Sequence, residues 1–191
     1  MSKILVPGDF IDDAKRIGCE VEAIRAVAAV ESQGNGYRPD GFPKTLFEGH
    51  YFAKLTKGKY NASHPTISYS KWTRQFYGKT WEAERDRLEL AMSLDRTAAM
   101  QSASWGMFQI MGANHAVCGY KTVQQFVNAM VKDANSQLEA FTSFVMENRL
   151  DDELRELRFA DFARHYNGPG FAVNKYDEKM LKEYRKLKGI K

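Results

Sequence analysis

The chain has 191 residues, of which 43% are hydrophobic and 27% are charged. This length suits one globular domain, and this composition excludes a disordered, collagen-like or low-complexity protein. Twenty-eight Lys and Arg against 24 Asp and Glu leave a formal net charge of +4, which admits nucleic acid, an anionic membrane or an anionic cell wall as a partner. No apolar run approaches the roughly 18 to 20 residues needed to span a bilayer.

The N-terminus lacks the features of a secretory signal, because residues 1–6 form only a short apolar patch before Pro7. We therefore expect the protein to begin in a cytoplasm. Its two cysteines, Cys19 and Cys118, stand outside any CxxC spacing. They could pair in one disulfide, but a cytoplasmic start favours two free, inert thiols.

Hydrophobic periodicity predicts a mainly helical chain. A first helix begins at Asp9 as its cap and ends at Gly18, and a second runs from about Val21 to Ser32. Residues 33–43 are rich in Gly and Pro and predict a loop. Next come a short strand at 45–47, a short helix at 50–55 and a turn-rich stretch at 56–68. Residues 33–68 therefore read as an insertion in a helical domain.

Helical spacing returns at Trp72 and Phe76 and predicts a helix that ends at Gly78, followed by a longer helix capped by Thr80. Residues 104–115 interrupt the pattern. A capping box predicts another helix from residue 122, and apolar clusters predict the last ones at 138–145, 154–157, 159–163 and 173–187. We find no repeat and no linker, and we expect one domain over residues 1–191.

Glu31 is the first candidate for chemistry. It lies three residues after Ala28 and four after Val27, so it continues the apolar stripe of the second helix at the C-terminal end. Burial and the negative end of the helix dipole both raise the pKa of a carboxyl group, which suits a general acid. The alternative is a helix-end glutamate that turns back to water.

Glu48 is the second candidate, because it stands in an unusually apolar and aromatic setting at residues 46–52. The preceding loop could fold it over Glu31, and two carboxylates across a cleft are the arrangement of glycoside hydrolysis. The alternative is a salt bridge from Glu48 to Arg38 or Lys44.

Three further polar residues lie in settings that suit ligand binding. Gln109 stands inside an apolar run, where its amide must be hydrogen-bonded. It could orient a substrate, hold Glu31 or simply bond to the backbone. Tyr166 and Asn167 lie at a helix end beside a Gly-rich turn, where they could bind sugar hydroxyl and acetamido groups or form the helix C-cap.

Other chemistries lack support in the sequence. The four histidines show no metal-binding spacing, so we assign no metal, and no phosphate-binding Gly-rich loop or nucleophile elbow is present. We expect no cofactor. Outside the C-terminal segment, no concentrated basic stripe with aromatic residues supports nucleic-acid binding.

Taken together, the motifs resemble the N-acetylmuramidase domain of bacteriophage endolysins, in the lysozyme-like group with goose-type lysozymes and lytic transglycosylases. The resemblance covers about residues 8–187. These segments carry it: Ala29–Ser32 with Gly34, Leu46–Glu48, His50–Phe52, Ser104–Gly106, Gln109–Gly112, Asn114–His115 and Tyr166–Gly170. It implies a goose-type-like helical domain with a small β and loop insertion.

The resemblance also implies an activity, the hydrolysis of the β-1,4 bond between N-acetylmuramic acid and N-acetylglucosamine in peptidoglycan. It places Glu31 as the general acid and Glu48 as the second carboxylate, with Ser32, Gln109, Tyr166 and Asn167 along the sugar-binding cleft. An inverting outcome is expected from the goose-type likeness. Two departures are a chain too short for a separate peptidoglycan-binding domain and Gly49 where a larger residue is expected.

Two alternatives remain from the sequence. A lytic transglycosylase would cleave the same bond with one glutamate and form anhydro ends, although it needs no second carboxylate. A non-catalytic protein that binds the wall or a membrane is the other, although paired glutamates in aromatic surroundings argue against it. For the muramidase we expect a monomer that acts on periplasmic peptidoglycan after release from the host cytoplasm through a separate membrane pore.

The net charge of +4 resides in the C-terminal segment. Residues 175–191 contain seven basic and three acidic side chains, and the rest of the chain is balanced. A helix with Tyr176, Met180, Tyr184 and Leu187 on one side would pack on the domain and turn its charges to water. Those charges could complement the helix dipole or bind anionic outer-membrane lipid weakly.

Overall fold

A computed structural model describes residues 2–168 and 170–190, which leaves Pro169 of the predicted Gly-rich turn outside the described residues. The predicted mainly helical fold is confirmed. The helices are α1 (Ile11–Ile17), α2 (Val21–Ser32), α3 (Gly49–Leu55), α4 (Trp81–Leu94), α5 (Arg96–Gln101), α6 (Val123–Lys132), α7 (Ala134–Glu147), α8 (Asp151–Arg155), α9 (Phe159–Asn167), α10 (Phe171–Asn174) and α11 (Tyr176–Lys188).

One small antiparallel sheet interrupts the helices, with strands β1 (Thr45–Phe47), β2 (Ala103–Trp105) and β3 (Ile110–Met111) in that order. The predicted strand at 45–47 is confirmed, whereas the other two were missed. In the β1–β2 register Leu46 lies opposite Ser104. The sheet thus joins the loop region after α2 to the segment that contains Gln109.

Helix α2 lies at the centre of the core. Half of its twelve residues are buried, and several of these are small, including Ala23, Ala26 and Ala28. Small side chains allow neighbouring helices to approach closely, and α11 packs against α2 and α9 through the buried Met180 and Tyr184. The predicted amphipathic C-terminal helix is therefore confirmed, and its basic residues face outward.

The predicted helix around Trp72 and Phe76 is wrong, because residues 69–80 form bends and turns. Tertiary contacts take precedence over helical spacing here. The ring of Phe76 packs on that of Tyr69 at 5.1 Å between centroids. Gly78 lies so close to α4 that an added Cβ would come within 2.4 Å of the Glu84 nitrogen, so the segment cannot follow a helical path.

Two helix boundaries also differ from the prediction. The Asp9 carboxylate accepts a hydrogen bond from the Val6 N–H at 2.7 Å and holds a 3-10 turn, Pro7–Phe10, before α1. The helix expected from about Val173 is divided, because Lys175 adopts a left-handed φ of 53° between α10 and α11. Both differences are local turns that apolar periodicity does not specify.

Cys19 and Cys118 are free. Burial raises the pKa of Cys19 to about 11 and that of Cys118 to about 12, so both thiols are protonated and unreactive near neutral pH. Among the described residues, no helix has both the length and the apolar character needed to cross a membrane.

The buried carboxylate of Glu84 in α4 holds three segments together. It accepts hydrogen bonds from the N–H groups of Phe47 at 2.8 Å and Gly78 at 2.6 Å, and it pairs with Arg87 at 2.8 Å. A buried charge is tolerated only when it is paired and hydrogen-bonded, and Glu84 meets both conditions. This carboxylate fixes β1 and residues 77–80 against α4.

We expect Glu84→Gln to lower the free energy of unfolding by about 3 kcal/mol, because it leaves Arg87 without its partner and replaces one acceptor oxygen by a donor. Urea denaturation measures the loss. Glu89→Gln on the exposed face of the same helix, where Glu89 pairs with Arg85, is the matched control and should change stability by less than about 0.5 kcal/mol. Equal effects of the two substitutions would contradict this role of Glu84.

Candidate active site

Glu31 lies in the last turn of α2, where the chain leaves the core, and its side chain is partly buried. The amide nitrogen Nδ2 of Asn167, at the end of α9, donates to Glu31 Oε1 at 2.8 Å. Helix α11 packs on both α2 and α9, and the ends of these two helices bring together two candidates that are 136 positions apart in the sequence.

The environment of Glu31 favours its protonated form. Burial raises its pKa to about 7, and the Asn167 hydrogen bond opposes the rise only in part. Burial raises the pKa values of Tyr166 and Tyr176. The negative charge of ionised Glu31, which lies near both hydroxyl groups, raises them further. A carboxyl group that keeps its proton near neutral pH can act as a general acid.

Glu48 follows β1 and stands at the N-terminal end of α3. Side chains alternate along a strand. Phe47 is buried in the core, Thr45 is buried at the wall of the cavity beside Glu31, and Leu46 lines that cavity too. Glu48 continues the Leu46 side of the strand. The position of this carboxylate is therefore set by the register of a strand whose other face is anchored in the core.

The Tyr77 hydroxyl holds the Glu48 carboxylate, and the His50 ring lies beside it without a hydrogen bond from Nδ1. The Tyr77 hydroxyl lies 2.8 Å from Oε1 and 2.9 Å from Oε2, and burial, with Glu48 as a second cause, raises the pKa of Tyr77. His50 Nδ1 lies 3.3 Å from Oε2, at ion-pair distance. The salt bridge considered for Glu48 is absent from the described residues: Arg38 pairs with Asp40.

Position 49 is glycine, whereas the family resemblance leads one to expect a larger residue. The local packing explains why glycine stands here. A Cβ at this position would lie 2.4 Å from the ring of Tyr69 and 2.8 Å from the carbonyl oxygen of Ile67. Residue 49 must therefore be glycine for the segment 67–77 to approach Glu48 and place Tyr77 on it.

Gln109 is hydrogen-bonded through both ends of its amide. Its nitrogen donates to the carbonyl oxygens of Gly106 at 2.8 Å and Lys44 at 3.3 Å, and its oxygen accepts from the Ser104 hydroxyl at 2.9 Å. Its backbone has a left-handed φ of 48°, a conformation that is uncommon outside functional sites and turns. Gln109 thus joins the loop to the sheet beside the cavity and donates no bond to Glu31.

A cavity of about 280 Å³ opens at Glu31. It is lined by Val30, Glu31, Ser32, Gln33, Lys44, Thr45, Leu46, Trp81 and Gln109. Lys44 Nζ donates to the Ser32 carbonyl oxygen at 2.6 Å, and burial lowers the pKa of this lysine. The cavity is large enough for a sugar ring and places Ser32 and Gln109 beside the candidate acid.

Two candidates use their hydroxyl groups within the protein. Ser32 donates to the carbonyl oxygen of Ala28 at 3.2 Å, and Tyr166 donates to that of Phe108 at 2.6 Å while its ring stacks on Phe162. Tyr166 thereby fixes the end of α9 that carries Asn167. Their predicted contacts with substrate stay predictions.

The sequence reasoning missed Tyr77, Trp81 and the placement of His50. Tyr77 lies 29 positions from the carboxylate that it holds, and no spacing signals that contact. The only available hint was the excess of aromatic residues between 47 and 81, since aromatic side chains in a turn-rich segment need a partner.

We expect Glu31→Gln to stabilise the protein in a pH-dependent way. The folded-state pKa of Glu31 is about 7 against an ordinary 4.5, so below pH 4.5 both states bind the proton. As pH rises from 4.5 through 7 the unfolded state loses it first, and the native protein loses up to about 3 kcal/mol of stability, which glutamine avoids.

Urea denaturation of the wild-type and Glu31→Gln proteins between about pH 4 and pH 8 checks this expectation. Glu139 is an exposed glutamate in α7, and Glu139→Gln is the control. Its free energy of unfolding should differ from that of the wild type by the same amount at every pH. A gain in Glu31→Gln that does not grow with pH would show that Glu31 has an ordinary pKa.

Comparison with known proteins places this geometry in a family. The family model described as N-acetylmuramidase matches residues 20–188. The crystal structure of the Burkholderia AP3 phage endolysin is similar at 36% sequence identity with a TM-score of 0.85, over 96% of this chain and 70% of that one. No curated protein matches the chain.

The family match includes both glutamates, Tyr77 and the end of α9. The similar structure covers nearly the whole chain, which confirms the lysozyme-like helical fold with its small sheet. On both findings, the chain belongs to the N-acetylmuramidase family of peptidoglycan-lytic enzymes.

Proposed function

We propose that the chain is a phage endolysin that hydrolyses the β-1,4 bond between N-acetylmuramic acid and N-acetylglucosamine in peptidoglycan. The observation that carries this proposal is the environment of Glu31, a carboxyl group whose pKa burial raises to about 7 at the edge of a cavity that fits a sugar. Such a group retains the proton that departure of a sugar hydroxyl requires.

In the proposed reaction, Glu31 transfers its proton to the glycosidic oxygen as the bond from the anomeric carbon to that oxygen breaks. A water molecule adds its oxygen to the anomeric carbon, which carries positive charge in the transition state. The proton that the water loses passes to Glu48. A later exchange of protons with solvent restores both carboxyl groups.

The surroundings of Glu48 support its role beside a water molecule. The Tyr77 hydroxyl fixes the orientation of its carboxylate, which leaves lone pairs for a water O–H. We assign the inverting outcome to the reaction, in which the second carboxylate acts on water rather than on the sugar itself.

Asn167 supports substrate binding beside the acid. Its Nδ2 holds Glu31, whereas its buried Oδ1 accepts no hydrogen bond from any residue in 2–168 or 170–190. A buried acceptor without a partner is costly, and an N–H or O–H of the substrate would satisfy it. Ser32 and Gln109 line the cavity at Glu31, and Tyr166, bonded to the Phe108 carbonyl oxygen, anchors the end of α9 that carries Asn167.

We assign residues 1–191 to one catalytic unit that acts as a monomer. The wall is reached, on this proposal, after release through a separate membrane pore. This is in keeping with the similarity to a phage endolysin, of which the chain matches 70%.

The products of digestion test the proposal. We expect wild-type protein to release muropeptides with reducing muramic acid ends, as seen by mass spectrometry of digested peptidoglycan. Glu31→Gln and Glu48→Gln should each lower the rate by at least about 100-fold, because one lacks the proton donor and the other the group that acts on water. Glu139→Gln should retain the full rate.

Anhydro ends in the products, together with an active Glu48→Gln variant, would instead identify a lytic transglycosylase. Binding to peptidoglycan without any released fragment would identify a non-catalytic wall-binding protein. Near-normal activity of Glu31→Gln would refute the mechanism.

The basic face of α11 leads to a separate prediction. Lys182, Arg185 and Lys186 are exposed on this helix, and Lys186 pairs with the neighbouring Glu183. If these residues bind anionic outer-membrane lipid, reversing all three to Glu should weaken lysis of intact Gram-negative cells more than digestion of purified peptidoglycan. The ratio of the two rates, measured at one ionic strength, is the readout, and an equal loss on both substrates would exclude lipid binding.

A further inference from the structure

A second cavity lies next to the one at Glu31. It measures about 400 Å³ and is lined by Thr45, Leu46, Tyr77, Gly78, Lys79, Thr80, Trp81 and Glu84. Three of these residues, Thr45, Leu46 and Trp81, also line the cavity at Glu31. The two cavities are therefore neighbouring compartments of one cleft, and Trp81 stands between them.

The backbone of Trp81 is held firmly. It is the first residue of α4, and the preceding Thr80 caps the helix by accepting from the Ala83 N–H at 3.2 Å. The buried guanidinium of Arg38 donates to the Trp81 carbonyl oxygen at 3.0 Å. Glu84 pins Gly78, three residues before Trp81, at 2.6 Å. The indole ring is thus presented from a preorganised support.

The side chain of Trp81 is nevertheless 50% exposed, so the protein uses little of its large apolar area for its own core. An exposed aromatic surface in a cleft is typical of a binding site. The face of an aromatic ring carries negative charge and attracts C–H groups, and one face of an N-acetylhexosamine ring is a set of C–H groups. Trp72 is also exposed, but it lines neither cavity.

We propose that Trp81 is a stacking platform for a second sugar of the glycan strand, which occupies the neighbouring cavity while the scissile bond lies at Glu31. This inference rests on the proposed function and adds a subsite to it. The residue acts through binding rather than chemistry, so its loss should raise KM and leave kcat close to the wild-type value.

The charge of the second cavity indicates which sugar it takes. The carboxylate of Glu84 is occupied by Arg87 and two backbone N–H groups, whereas Lys79 is exposed at the rim. The remaining positive charge suits a carboxylate on the ligand. In peptidoglycan the lactyl group of N-acetylmuramic acid is amide-linked to a stem peptide that carries carboxylates, whereas N-acetylglucosamine carries no peptide. The subsite beside Lys79 is therefore assigned to the muramic acid with its stem peptide.

Binding of N-acetylglucosamine oligomers to the Glu31→Gln protein tests the platform without any cleavage. Calorimetry with oligomers of two to six sugars should show an affinity that rises with length. In the Trp81→Ala protein that rise should vanish, with about tenfold weaker binding of the longest oligomer. Trp81→Phe should restore most of it, and Leu90→Ala on the exposed side of α4 should match the parent.

Unchanged binding in Trp81→Ala, or a loss that Trp81→Phe does not restore, would overturn the platform while leaving the proposed hydrolysis untouched. Failure of the parent protein to bind any oligomer or peptidoglycan fragment would instead reject the substrate class itself, and with it both proposals. Circular dichroism of each variant verifies that the comparison is between folded proteins.

A second pair of ligands tests the choice of sugar. Lys79→Met should weaken binding of a glycan fragment whose muramic acid carries its stem peptide and leave the N-acetylglucosamine oligomer of equal length unaffected. Lys71→Met, at an exposed lysine that lines neither cavity, should affect neither. Equal losses for both ligands in Lys79→Met would refute the assignment to muramic acid.

Discussion

The cleft of this protein depends on one buried carboxylate, that of Glu84. It holds the strand that precedes Glu48 and the turn that contains Tyr77 and Gly78, and it does so from the helix that begins with Trp81. A strand of three residues and an irregular segment have few contacts of their own. A charged acceptor that binds both backbones at 2.6 and 2.8 Å gives them a fixed relation to α4, because charge-assisted hydrogen bonds are stronger than neutral ones.

The two candidate glutamates stand in different surroundings. Glu31 extends from α2, a helix with half of its residues buried, and loss of solvent raises its pKa to about 7. Glu48 stands at a strand end, where Tyr77 and His50 contact its oxygens. On the proposed mechanism Glu31 is the acid, so the burial that α2 gives its side chain serves the chemistry as well as the core.

Residues 69–81 form one wall of the cleft. Apart from the two glutamates, this segment contains most of the side chains discussed for the site. It supplies Tyr77 for Glu48, Lys79 for the rim and Trp81 for the boundary between the cavities. Its close approach requires Gly49 and Gly78, since a Cβ at either position would collide with Tyr69 or with α4. The side chains to which we assign substrate binding are therefore coupled to local packing in this segment.

The sequence by itself determined the helices, the strand at 45–47 and the face on which Glu31 lies, because periodicity and capping residues are local properties of the chain. It did not determine the path of residues 69–80, where helical spacing misled, or the partners of Glu48, because contacts across 29 positions depend on how whole elements pack. The pKa of Glu31 depends on both the sequence pattern and the tertiary packing. Its place on the apolar stripe was readable, but the Asn167 hydrogen bond and the burial that retains the proton come from helices distant in sequence, with α11 packed on both α2 and α9.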